Sequence, residues 1–211
     1  MKNRMARFLL LFVFLGPVSV LAEETVKPAA EVAPSGSGFT SLASDDFDRI
    51  VAGIEQLGAS KHPRALVVLE GLEAGKLVFD SSGTLFLEVE GGTVNAETGE
   101  AATPREKPRD VGVNNRVRRT LAPLISELRL RAPDLAVRRT AAEETSKHPR
   151  EEMRGALLDA RKQESDDDVA ELLDLALARL DLASTDKARR LAGLAVIDDQ
   201  AELSFKGDLE G

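Results

Sequence analysis

The chain has 211 residues, carries a formal charge of −8 and is 43% hydrophobic, with no cysteine. That length allows one ordinary domain or two small ones around a packed core, and the cysteine count excludes disulfide staples and thiol nucleophiles. An acidic chain is also poorly suited to nucleic acid, whose binders neutralise phosphates with Lys and Arg, so no nucleic-acid partner is expected.

The chain opens with "MKNRMARFLLLFVFLGPVSVLAEE". Lys2, Arg4 and Arg7 precede an unbroken apolar run from Phe8 to Leu15; Gly16-Pro17 breaks any helix, and Val20-Leu21-Ala22 offers a small-residue cleavage site. This is the layout of a secretory signal peptide over residues 1–22, cut after Ala22. The alternative is a retained anchor, for which the run is short of the roughly 20 residues a spanning helix needs. The mature product is therefore expected to be exported and periplasmic. Residues 23–42, rich in Pro, Ala, Gly and Ser at their start, read as a flexible linker.

A first helical pair is expected over 43–76. Ser44 is placed to cap the first helix, Asp45 and Asp46 suit its positive end, and Phe47, Ile50, Val51, Ile54 and Leu57 share one face up to Gly58. Ala65, Leu66, Leu69 and Leu72 then mark a second helix that stops near Gly75. Between the two lies "SKHPR" (60–64), with Pro63 where a first-turn proline belongs. The same pentapeptide recurs at 146–150, and the two copies hold both histidines, His62 and His148. Neither has metal-ligand spacing around it, so a helix–turn–helix corner used twice is the simpler reading, and no metal or cofactor is expected.

Residues 77–112 read as a β-hairpin or small meander followed by a proline-bearing loop. Leu77 and Phe79 precede a turn at Asp80–Gly83, Leu85, Leu87 and Val89 alternate, and Gly91-Gly92 turns again. From 113 to 197 the pattern is helical. Pro123 should kink or restart the helix that begins near Asn114. Asp134 is an N-cap with Val137 and Ala141 on one face; Met153, Ala156, Leu157 and Ala160 point inward on the next helix. Val169, Leu172, Leu173, Ala176, Leu177 and Leu180 then form one broad stripe. The acidic run Asp166–Asp168 lacks EF-hand spacing and reads as a helix N-terminus. A last helix over 186–196 leaves 198–211 as a polar tail.

Three segments share a grammar: "NNRVRRTLA" (114–122), "DLAVRRTAA" (134–142) and "DKARRLAGL" (186–194). Degenerate similarity in paired helices predicts an all-α fold, a HEAT-like α-solenoid of antiparallel pairs with an inserted β-hairpin. In successive repeats the pairs Arg118-Arg119, Arg138-Arg139 and Arg189-Arg190 would line up as a basic ladder, a candidate surface for an acidic partner. The alternative is pairing with nearby acids such as Glu143, Glu144 and Glu171. Asn114 and Asn115 are candidates either for capping or for partner contact.

The hairpin followed by Val113-Asn114-Asn115-Arg116-Val117-Arg118-Arg119, and then by "PDLAVRRTAA", resembles the N-terminal extracytoplasmic region of the urea ABC transporter permease, the B-type subunit of the branched-chain amino-acid transporter class. The resemblance covers roughly residues 47–195. It implies a non-enzymatic role in urea import, as a docking or bracing surface whose partners are the periplasmic urea-binding protein and other transporter subunits. Family members continue into a membrane permease, whereas the sequence reads to "SFKGDLEG" with no membrane span within it. The expectation is a truncated permease product or a free-standing periplasmic version, touching the membrane only through the missing portion. A free periplasmic HEAT-like scaffold or adaptor unrelated to transport is the alternative. An enzyme is disfavoured because no nucleophile, base and orienting group form a set.

Overall fold

The computed structural model describes residues 38–210, with side-chain surroundings through residue 198. The expected signal peptide, its cleavage site and most of the expected linker lie outside the described residues. What the linker assignment covers at its end is helical. α1 (Gly38–Leu42) buries Phe39 and Leu42 against α2 (Phe47–Ala59), so residues 38–42 belong to the core.

α2 starts two residues later than Ser44 suggests. Asp46 is the cap, its carboxylate accepting from the Asp48 N–H at 2.8 Å, while Ser44 Oγ accepts from the Asp46 N–H at 3.0 Å. Ile50, Val51, Ile54 and Leu57 are buried as expected, but Phe47 is 41% exposed. Gly58 lies inside the helix, beneath Leu124 of a later helix, and does not end it. α3 (Ala65–Glu73) stops at Gly75, whose φ of 68° lets Lys76 N–H donate to Gly71 O at 2.8 Å and Gly75 N–H to Leu72 O at 3.1 Å. Those two bonds satisfy the last carbonyls of the helix.

The segment expected as an inserted hairpin is a four-stranded antiparallel sheet in the order β3-β2-β1-β4. β1 (Leu77–Phe79) pairs with β2 (Leu85–Val89) through Leu77↔Leu87 and Phe79↔Leu85, and β2 pairs with β3 (Gly92–Asn95). β4 (Arg109–Asp110) returns from the proline loop to pair with Val78 and Phe79. At the first turn Asp80 is buried and accepts from the Ser82 N–H at 3.0 Å and the Ser82 hydroxyl at 2.5 Å. The hydroxyl bond, with the Thr84, Arg105 and Ser82 amides, lowers its carboxyl below the usual range against the cost of burial.

This sheet overturns the all-α solenoid. Leu77, Phe79, Leu85 and Leu87 sit in the same apolar cluster as Ile54, Leu57, Leu69, Leu121 and Ile125, so the strands help build the first core and are not an appendage. The described body is mixed, mostly helical with an integral antiparallel sheet. A two-residue strand such as β4 carries no period of its own, so only its partner β1 reveals it.

α4 (Asn115–Leu130) runs unbroken through Pro123 and packs on α2 and α3 with Val117, Leu121 and Ile125. Its last turn passes Leu130 into a second core built with α5 (Leu135–Lys147), the 3-10 turn Glu151–Met153, α6 (Arg154–Gln163) and α7 (Asp167–Leu182). Leu157, Leu173 and Ala176 are its fully buried centre. α8 (Lys187–Glu210) packs along α7 and continues past the expected end near Val196, through the stretch expected as a polar tail. No helix among the described residues is long and apolar enough to cross a membrane.

Candidate docking surface

Each arginine pair lies within two turns of a helix start, and the caps decide what the pair can do. Asn114 caps α4, its Oδ1 accepting from the Arg116 and Val117 N–H groups, both at 2.9 Å. Asn115 is the first helical residue; its carbonyl accepts from Arg119 Nε at 3.2 Å. Asn114→Ala should lower stability by about 1 kcal/mol, the typical cost of a lost N-cap. Urea denaturation would measure it, and an unchanged midpoint would assign Asn114 no capping role.

Asp134 caps α5 in the same way, accepting from the Ala136 N–H at 2.7 Å. Four residues on, Arg138 turns back and its Nη1 donates to the carbonyls of Ala132 and Pro133, both at 3.0 Å. Its other face forms a fork on Glu164, Nε to Oε2 at 2.7 Å and Nη2 to Oε1 at 3.1 Å. Glu164 Oε1 also accepts the Ser165 and Asp166 N–H groups at 2.9 and 3.0 Å. The Arg138 hydrogen bond, helped by those amides and opposed by burial, holds the Glu164 carboxyl down at about 2, and Glu164 in turn raises Arg138.

Asp186 repeats the device ahead of α8. It accepts from the Ala188 N–H at 2.7 Å, and Arg190, again four residues on, donates through Nη1 to Ser184 O at 3.0 Å and Thr185 O at 2.8 Å. Arg138 and Arg190 are therefore equivalent, although alignment on the Arg-Arg dipeptide matches Arg138 with Arg189. One residue fewer separates cap from pair in α8, so Arg189 takes a different position relative to its cap from Arg119 and Arg139.

The remaining partners are also specific. Arg139 Nη2 meets Asp168 Oδ2 at 2.5 Å and Asp166 at 3.7 Å, across the α5–α7 contact. Arg189 bridges Asp181 at 3.0 Å and Glu151 at 3.3 Å; Arg154 contacts the same two acids at 2.9 and 2.7 Å. That network ties the 3-10 turn, α6, α7 and α8 together. In it the Arg154 hydrogen bond, then the Arg189 bond, draws the Glu151 carboxyl below its ordinary value. Among the acids engaged are Glu151, Glu164, Asp166, Asp168 and Asp181. Helix spacing alone does not reveal which neighbour lies across a helix contact.

Of the six candidate arginines, only Arg118 and Arg119 are exposed and in no ion pair among the described residues, both on α4. The two "SKHPR" copies also diverge. In the first, Ser60 is the C-cap of α2, His62 stands edge-on to Phe39 with ring centroids 4.8 Å apart, and Arg64 Nε reaches Ala96 O at 2.8 Å. In the second, Ser146 and Lys147 are still helical, the buried Ser146 gives its carbonyl to Arg179, and His148 is the exposed C-cap of α5. They are two different corners. Among the described residues no group of three or more His, Asp or Glu is placed to hold a metal.

Sequence reasoning passed over Arg150 and the place of the exposed Pro123 beside it. Arg119 and Pro123 of α4 face Arg150 and Met153 of the α5–α6 corner across a cleft of about 530 Å³. The available signals were a proline within a helix and an arginine directly after the proline of a corner. Comparison of the chain with family models, with curated proteins and with solved structures returns no match.

Proposed function

We propose that this chain is a non-catalytic, exported docking domain that engages a component of a urea ABC transporter, with the periplasmic urea-binding protein as the direct partner. One observation carries the reading. The segment that resembles the transporter permease, Val113 to Arg119, is also the segment whose Arg118 and Arg119 stand exposed on α4 with no ion pair among the described residues. Arg138, Arg139, Arg189 and Arg190 brace the helices from behind and are occupied. Two exposed guanidiniums that make no ion pair among the described residues, each with donors beyond its bond to Asn115, offer charge-assisted bonds to surface carboxylates on a partner.

The test is association of the full chain with the purified urea-binding protein, measured by calorimetry for wild type and for the Arg118→Glu/Arg119→Glu variant. Loss of about two charge-assisted contacts should weaken binding by at least tenfold. Equal affinity for the variant, or no association of the wild type, would remove this reading.

A further inference from the structure

We propose that the outward face of α8 is a dimer interface, on which a second copy of this chain docks its own α8 antiparallel about a two-fold axis. This face shares no residue with the α4 surface, so the two interfaces stand or fall independently.

Gly193 fixes which side of α8 faces inward. It is buried, and a Cβ there would lie 2.6 Å from Ala178 O and 3.1 Å from Leu182 N of α7. At 3.6 residues per turn, Lys187, Leu191, Leu194 and Asp198 fall within an arc of about 60° on the far side of the helix. Leu191 is 56% and Leu194 54% exposed, the two most exposed large apolar side chains among the described residues. Ala192, Ala195 and Val196 beside them are exposed as well. A contiguous apolar patch of this kind, with charges at its ends, is the mark of a contact surface.

The order of residues along the stripe selects a second copy as its occupant. A two-fold axis midway between positions 192 and 193 sets Leu191 opposite Leu194 of the other copy. The same operation sets Lys187 opposite Asp198 of the other copy. The apolar pair and the charged pair thus share one centre, the condition that an isologous contact must meet. Leucines from both copies then lie between Lys–Asp pairs at either end. A parallel copy would instead set Lys187 on Lys187 and Asp198 on Asp198, where like charges repel. Lys187 and Asp198 are both exposed and make no ion pair among the described residues. Arg189 and Arg190 of the same turn are already engaged within the chain. At the acidic end a recess of about 520 Å³, lined by Leu194, Ala195, Ile197 and Asp198, is where Leu191 of the second copy would seat.

The test is sedimentation equilibrium of the full chain from about 5 to 500 μM, a range suited to one helix pair, whose area falls below the roughly 1,200 Å² of standard interfaces. Expected is a reversible rise in mass from one protomer toward two. Leu191→Glu/Leu194→Glu should stay monomeric throughout, because it sets carboxylates against one another at the centre. Both leucines are exposed, so unchanged circular dichroism and melting confirm that the variant folds. Lys187→Asp alone and Asp198→Lys alone should each weaken association by about fivefold or more, since each places like charges at both ends of the contact. Lys187→Asp/Asp198→Lys together should recover the wild-type affinity to within about twofold. A wild type that is monomeric at every concentration, or a leucine variant that dimerises as well as wild type, would overturn the antiparallel α8 dimer. Single reversals without effect, or a double reversal without recovery, would do so too.

Discussion

Glu164→Gln is expected to destabilise the protein by about 3 kcal/mol, because it strips one half of a nearly enclosed ion pair. The Glu164 side chain is 2% exposed and that of Arg138 is 19%. The carboxylate takes both arms of the Arg138 fork and two backbone N–H groups. An amide oxygen cannot replace two anionic oxygens, and its NH₂ would face the guanidinium, leaving buried donors unmatched. The pH dependence supplies a second reading of the same pair. A carboxyl held at about 2 against an ordinary 4.5 contributes stability that is fully present above pH 4.5 and is lost as the pH falls toward 2. That contribution is on the order of 3 kcal/mol. Urea denaturation at neutral pH and at pH about 3 should therefore show a smaller gap between wild type and Glu164→Gln in acid. An equal gap at both would mean that Glu164 is not held ionised by Arg138.

Gly53→Ala is the second large effect, and its sign is diagnostic. In an isolated helix the change would stabilise by about 0.8–1 kcal/mol through propensity alone. Here a Cβ at Gly53 would lie 2.9 Å from both Gly38 O and Leu42 N, backbone atoms of α1 that cannot swing aside. α1 must lift off α2, loosening Phe39 and the fully buried Leu42. Each such side chain contributes about 1.5–3 kcal/mol when buried, so a net loss of about 2–3 kcal/mol is expected. Thermal and urea melts of Gly53→Ala beside Leu42→Ala measure it. A stabilised Gly53→Ala would show that α1 does not seat on α2 as described.

Local signals in the chain were dependable where the chemistry is local. Asp134 and Asn114 were readable as caps because an acceptor at that position has backbone N–H groups two and three residues ahead. Gly75 was readable as a stop because a left-handed residue closes the helix with bonds to its own last turn. The α7 stripe from Val169 to Leu180 was legible because one side of a 3.6-residue period had to be apolar. Ser44 was displaced by Asp46 since both side chains accept an N–H two residues ahead, and the sequence alone does not say which of the two starts the helix.

The fold class was not local. Alternation at Leu85, Leu87 and Val89 predicted strands, but only the return of Arg109–Asp110 to β1 and the burial of Leu77 and Phe79 against helices turned a hairpin into part of the core. The arginines show the same division. By itself the sequence determined that a cap is followed by an arginine pair three to five residues on. Only tertiary packing decided that Arg138 meets Glu164, that Arg189 meets Asp181 and Glu151, and that Arg119 is left facing Arg150 across an open cleft. Caps, stops and stripes are set by bonds within one or two turns. The partner of a long charged side chain is set by whichever helix lies across the contact, and no period in the chain encodes that.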